Sequence, residues 1–146
     1  MFVEISNPYS YPVSNEFIKR LMRKINRYLK IYRKNKISVA LVDNKTIKRI
    51  NKLYRRKNEV TSILSFSEKD NNKKFIVKED ENYFGEIIIA YPELKRKAYQ
   101  NKMAVKEQLK KLLIHGLLHL AGYDHLRKEE ARRMERLEAI INKTVI

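Results

Sequence analysis

Three glycines and three prolines in 146 residues leave this chain few places to break. Between them, short β-rich runs alternate with segments of helical period, which predicts a compact, helix-rich α/β domain. Phe2 to Ile5 is apolar and followed by Asn7-Pro8, an opening strand that ends in a turn. From Glu16 to about Tyr32, Phe17, Ile18, Leu21, Met22, Ile25, Tyr28, Leu29 and Tyr32 recur at three- and four-residue spacing, an amphipathic helix with Lys and Arg on its other face. Ile37 to Val42 predicts a strand, Ile47, Ile50, Leu53 and Tyr54 a helix, and Thr61 to Phe66 another strand. Lys69 to Asn82 is polar and aperiodic, which predicts a mobile loop. Tyr83 to Ala90, with Ile87-Ile88-Ile89, is the strongest strand signal. Pro92 then opens a helix, a longer one is expected from about Ala104 to Ala121 before Gly122, and a last from about Lys128 to Asn142 with Met134, Leu137 and Ile141 on one face. The expectation is a single α/β (α+β) domain over residues 1–146: about four strands in a mixed sheet, about five helices, and a metal site at a helix end.

Thirty-three Lys and Arg against seventeen Asp and Glu give a formal charge of +16. A field of that sign concentrates polyanions and speeds their encounter, so nucleic acid is the first partner to consider, although a Lys-rich composition alone produces the same number. Without cysteine, disulfides and thiolate metal sites are excluded, and any metal falls to His and carboxylates. No apolar run reaches the eighteen or so residues of a spanning helix, and MFVEISNPYSYPV lacks the basic-then-apolar pattern of a leader. The expectation is a soluble, cytoplasmic protein with no membrane partner.

All three histidines lie in one stretch, His115-Gly116-Leu117-Leu118-His119-Leu120-Ala121-Gly122-Tyr123-Asp124-His125. At 3.6 residues per turn His115 and His119 share a helix face, so two imidazoles can converge on one ion. A pair alone is equally at home in a core. With Gly122 placed to end the helix in a left-handed cap, the turn is expected to return His125 as a third nitrogen ligand. Three neutral nitrogens leave one position of a tetrahedral zinc open, the arrangement of a catalytic metal. Asp124, beside a ligand, is a candidate to orient an imidazole, to hold a water or to cap the last helix. Tyr123 reads as packing.

The spacing is similar to the His-Glu-x-x-His-x-x-Gly-x-x-His run of the metzincin proteases, but Gly116 stands where those enzymes carry the glutamate base. Peptidase or other hydrolase chemistry is therefore the second reading.

The same run resembles the YbeY family of bacterial metal-dependent endoribonucleases, whose pattern His-Gly-x-Leu-His-Leu-x-Gly-Tyr-Asp-His is met at every specified position. Agreement continues in Asn51-Lys52-Leu53-Tyr54-Arg55, in Thr61-Ser62-Ile63-Leu64-Ser65-Phe66, in Gly85-Glu86-Ile87, and at Met134 and Glu138. Ser62, Ser67 and Glu86 depart from the usual Asp or Asn, Pro and Asp. The resemblance implies zinc, one ion per chain, on His115, His119 and His125, and a functional Arg55. It implies single-strand-specific cleavage in late rRNA processing, especially at the 3′ end of small-subunit (16S) rRNA, and ribosome quality control. It also implies rRNA or the small subunit as partner, together with ribosome-associated proteins. The chemistry is compatible: zinc lowers the pKa of bound water from about 16 toward about 7 without a carboxylate base, and a guanidinium suits a phosphate. Ser65 and Phe66 read as structural before they read as RNA contacts. A third reading is a non-catalytic, metal-containing ribosome-assembly factor.

Overall fold

Every strand but the first has its alternate apolar residues buried, and this sorts the side chains of the sheet onto two faces. The computed structural model describes residues 1–30, 36–67, 83–123 and 126–144. Within them the order is β1 (Phe2–Ser6), α1 (Asn15–Leu29), β2 (Lys36–Val42), α2 (Asn44–Arg55), β3 (Ile63–Ser67), β4 (Tyr83–Ala90), α3 (Tyr91–Gln100), α4 (Val105–Leu120) and α5 (Lys128–Thr144). The sheet runs β1-β2-β4-β3; β1, β2 and β4 are parallel and the edge strand β3 is antiparallel to β4. This is the expected four-stranded mixed sheet with five helices. Tyr32 and the loop expected over 69–82 lie outside the described residues.

The caps explain where helices begin and end. Ser14 Oγ accepts from Phe17 N at 3.2 Å to start α1, and Lys30 at φ 55° ends it, so this helix is shorter than its periodicity suggested. Asp43 Oδ1 accepts from Thr46 N at 2.8 Å to start α2. Those hydrogen bonds from Thr46 hold the Asp43 carboxyl below its usual range. In α4 the C-terminus is a double reverse bond: Gly122 N donates to His119 O at 3.0 Å and Tyr123 N to Leu118 O at 3.0 Å, with Gly122 at φ 100°. The glycine stop expected at the end of the histidine helix is thus present.

One face of the sheet, with Val3, Ile37, Val39, Leu41, Ile87 and Ile89, packs with α1, α3, α4 and α5 through residues such as Ile25, Leu94, Leu113, Leu117, Met134 and Ile141. The other face, with Leu64, Phe66, Ile88 and Ala90, is covered by Ile47, Ile50 and Tyr54 of α2. Adjacent isoleucines in β4 therefore enter different cores, which is why that strand shows an unbroken apolar run. Leu53, grouped by spacing with the buried face of α2, is 67% exposed. Asn51 takes that inner position instead, its Nδ2 donating to Glu59 O at 3.1 Å.

Helix α4 buries ten of its sixteen residues and approaches the sheet closely. A Cβ on Gly116 would lie 3.0 Å from Ile87 Cδ1, 3.1 Å from Ile63 Cδ1 and 3.3 Å from Ser65 Oγ; one on Gly85 would lie 2.6 Å from the Phe66 carbonyl oxygen and 2.7 Å from Leu120 Cδ2. The second clash includes backbone and cannot be relieved by a rotamer change. Gly85→Ala is expected to destabilise the fold by about 1–3 kcal/mol, as overpacking does. Urea denaturation checks this, and an unchanged midpoint would contradict the close approach.

Candidate metal centre

The last two turns of α4 carry His115 and His119 on one face because they are four residues apart. Their rings lie 4.5 Å apart at 78°, and their Nε2 atoms are 3.0 Å from each other. The other nitrogen of His115, Nδ1, is 3.2 Å from Glu138 Oε1 on α5. A carboxylate only accepts, so it fixes the proton on Nδ1 and leaves the Nε2 lone pair facing His119. Two nitrogens of a tetrahedral zinc with bonds of about 2.0–2.1 Å are separated by roughly 3.3 Å. The observed pair is close to that spacing, and a carboxylate behind a ligand is the usual support for such a histidine. The donor set therefore fits a divalent metal. Among the described residues no group of three His, Cys, Asp or Glu side chains is gathered to hold one. The proposed third ligand His125, and Asp124, lie outside the described residues.

Arg55 ends α2 on the other side of the sheet and reaches the edge strand β3. Its Nη2 donates to Ser65 O at 2.7 Å, and its guanidinium sits 4.6 Å from the Phe66 ring centre. Ser65 is the link between the two layers. Its carbonyl receives Arg55, while its hydroxyl lies against Gly116, the neighbour of His115. Arg55 and the histidine helix thus both contact Ser65, in the middle of β3. Phe66 is 1% exposed, with Tyr54 edge-on at 6.0 Å, so it supports Arg55 from beneath and is not presented to a ligand. Tyr123 packs against the main core, as expected.

Gly116 explains the missing protease base. Its side-chain direction points at Ile63, Ile87 and Ser65, so a carboxylate there would be driven into the sheet. Glu138 is the partner of His115 that spacing does not reveal. It lies 23 residues from His115, and only the packing of α5 on α4 brings them together. The resemblance had marked the position without giving it a role.

A second carboxylate, Glu86, lies in β4 on the α2 side, in register with Ser38 of β2 and Phe66 of β3. Burial pushes its pKa up to about 7, and among the described residues its Oε2 has no hydrogen-bond partner. Tyr83 nearby donates to Ser38 Oγ at 3.1 Å, and its own pKa is raised, chiefly by burial.

The profile of the family described as endoribonuclease YbeY matches residues 5–145. The chain is 36% identical over 118 residues to the endoribonuclease YbeY of Persephonella marina, an alignment covering 81% of this chain and 74% of that one. With that of Pelagibacter ubique it shares 35% over 119 residues, covering 82% and 75%. The longer alignment to the Anaeromyxobacter sp. protein of the same name is 34% identical over 143 residues, covering 95% and 69%. The solution structure of TM1509 from Thermotoga maritima superposes with a TM-score of 0.66 at 23% identity, covering 99% of this chain and 89% of that one, which supports the fold.

A carboxyl whose folded pKa stands above its unfolded value favours the folded state most at low pH. The Glu86 contribution is full below about pH 4.5 and is lost as pH rises through about 7. Glu86→Gln should therefore gain stability relative to the parent at pH 8 and not at pH 5, measured by denaturant titration at both. Equal differences at the two pH values would show that Glu86 titrates normally.

Proposed function

The chain belongs to the YbeY endoribonuclease family, and we propose that it is a zinc-dependent endoribonuclease that cuts single-stranded regions of ribosomal RNA, in late processing of the 3′ end of small-subunit (16S) rRNA and in ribosome quality control. The observation that carries this reading is the convergent Nε2 pair of His115 and His119, backed by Glu138, in a chain matched by the family over residues 5–145. His115 and His119 hold the ion, with His125 as the third ligand. When bound, zinc supplies Lewis acidity that polarises a phosphoryl oxygen and acidifies a water. Glu138 keeps the Nδ1 proton of His115 in place, so that Nε2 remains a donor of its lone pair. Arg55 offers remaining N–H donors to a phosphate and to the charge that grows on it during cleavage. Asp124 is proposed to support a neighbouring imidazole. The whole of residues 1–146 acts as the nuclease unit, in the cytoplasm, on rRNA or the small subunit and alongside ribosome-associated proteins. No helix of the described residues is long and apolar enough to cross a membrane.

Peptide hydrolysis lacks its base, because position 116 faces the sheet. Elemental analysis of the purified protein beside a cleavage assay on rRNA, with and without chelator, tests metal and reaction together. Zinc-restored cutting is expected; metal-independent cutting, or none with zinc returned, would sink the proposal. His119→Ala should lose both metal and cleavage. Arg55→Ala should keep the metal and lose about 10²–10³ in rate, the usual cost of removing one group that stabilises transition-state charge. Glu138→Ala should weaken zinc binding by about 10–100-fold, read by competition with a chromophoric chelator.

A further inference from the structure

Between Asn44 and Asn58 the chain carries Lys45, Lys48, Arg49, Lys52, Arg55, Arg56 and Lys57 and no acidic residue. Lys45, Lys48, Arg49 and Lys52 are exposed on α2, spaced three and four apart, so they form one stripe along its outer side that ends at Arg55. Like charges at this spacing weaken a helix; Asp43 at the cap faces Arg49, but Lys45, Lys48 and Lys52 make no ion pair among the described residues. The helix dipole accounts for Lys52 and Arg55 in the last turn, but it opposes Lys45 in a first turn that has no acid. A Lys-rich composition does not account for it either. In α5 Glu129, Glu130, Glu135 and Glu138 are interleaved with Arg132, Arg133 and Arg136, and in α1 Arg23 lies 4.0 Å from Glu16. Among the described helices only α2, which delivers Arg55 to the candidate metal centre, contains no acidic residue.

We propose that the outer face of α2 is a phosphate-binding rail for a single RNA strand, with Lys45, Lys48 and Lys52 holding the backbone of the segment that leads to the bond cut beyond Arg55. The proposal rests on the nuclease reading of the site and adds where the strand enters. A polyanion relieves the repulsion along the stripe, and the line of charges sets the direction in which the backbone is laid toward Arg55. Contacts of this kind position the strand without reading its sequence.

The test is the triple variant Lys45→Gln, Lys48→Gln, Lys52→Gln, beside Arg20→Gln, Arg23→Gln, Arg27→Gln on α1, which removes the same charge elsewhere. Binding of a fluorescent single-stranded oligoribonucleotide is measured against salt in the presence of chelator, so that no cleavage intervenes. Each lost phosphate contact lowers the slope of log affinity against log salt by about 0.7, so the α2 variant should lose about two units while the α1 variant changes little. The triple Lys→Arg variant should restore the slope and separates charge from folding. An unchanged slope in the α2 variant, an equal fall in both variants, or equally strong and equally sensitive binding of polyglutamate would overturn the rail. RNA bound with the expected slope change but never cut with zinc would sink the nuclease reading alone. RNA cut normally with an unchanged slope would sink the rail alone.

Discussion

The close seat of α4 on the sheet is the constraint from which the site follows. Gly116 removes the one side chain that would hold the helix off Ile63, Ile87 and Ser65, and Gly85 lets Leu120 and the Phe66 carbonyl approach from the same end. With these two contacts made, the rotation of α4 about its axis is fixed. His115 and His119 then lie on the flank turned toward α5 and Glu138, while the residues between them fill the core. A helix held at this depth has little freedom to move its imidazoles, and a metal site depends on ligand positions accurate to a fraction of an ångström. The same glycine that makes the packing possible removes the carboxylate base of the metzincin pattern. One substitution thus serves the fold and limits the chemistry.

What could be read in the sequence was what local period and caps determine. β4 was found with its observed ends, and α4 was found between Ala104 and Ala121, because a long apolar stretch with a glycine stop has no competing interpretation. The apolar spacing of Tyr28, Leu29 and Tyr32 continues past Lys30, where the backbone turns left-handed, so periodicity alone overruns the end of α1. Leu53 was assigned to the buried face because spacing cannot tell a core leucine from an exposed one when a polar residue, Asn51, satisfies a loop carbonyl from the inner position. The insertion of β4 between β2 and β3 was not legible, since strand order depends on pairing between segments far apart in the chain. For the site, the helical half was legible as a four-residue spacing. The tertiary half, Glu138 behind His115 and Arg55 on the Ser65 carbonyl, was not, because both contacts join different elements.

Two carboxylates show how the same side-chain chemistry is driven in opposite directions by its surroundings. Asp43 at the start of α2 receives the Thr46 hydrogen bonds and stays ionised more readily than a free aspartate. Glu86 lies in the middle of the sheet, with an oxygen that no donor among the described residues reaches, and burial drives it toward its neutral form. Both flank the core that α2 closes, so the helix is tied down by a charged cap at one end and rests near a reluctant charge under the other.

The route from Arg55 to the metal centre passes through backbone. Its guanidinium is held by the Ser65 carbonyl and the face of Phe66, and neither partner can be changed by a side-chain rotation alone: one is main chain, the other a ring 1% exposed. α2 and α4 lie on opposite faces of the sheet, so only an edge strand allows residues from both to meet. β3 is that edge, and its antiparallel register sets Ser65 opposite Ile87 in the middle of β4, where its hydroxyl lies against Gly116 of α4. The edge strand is thus the element through which an arginine from one layer is linked to the histidine helix of the other.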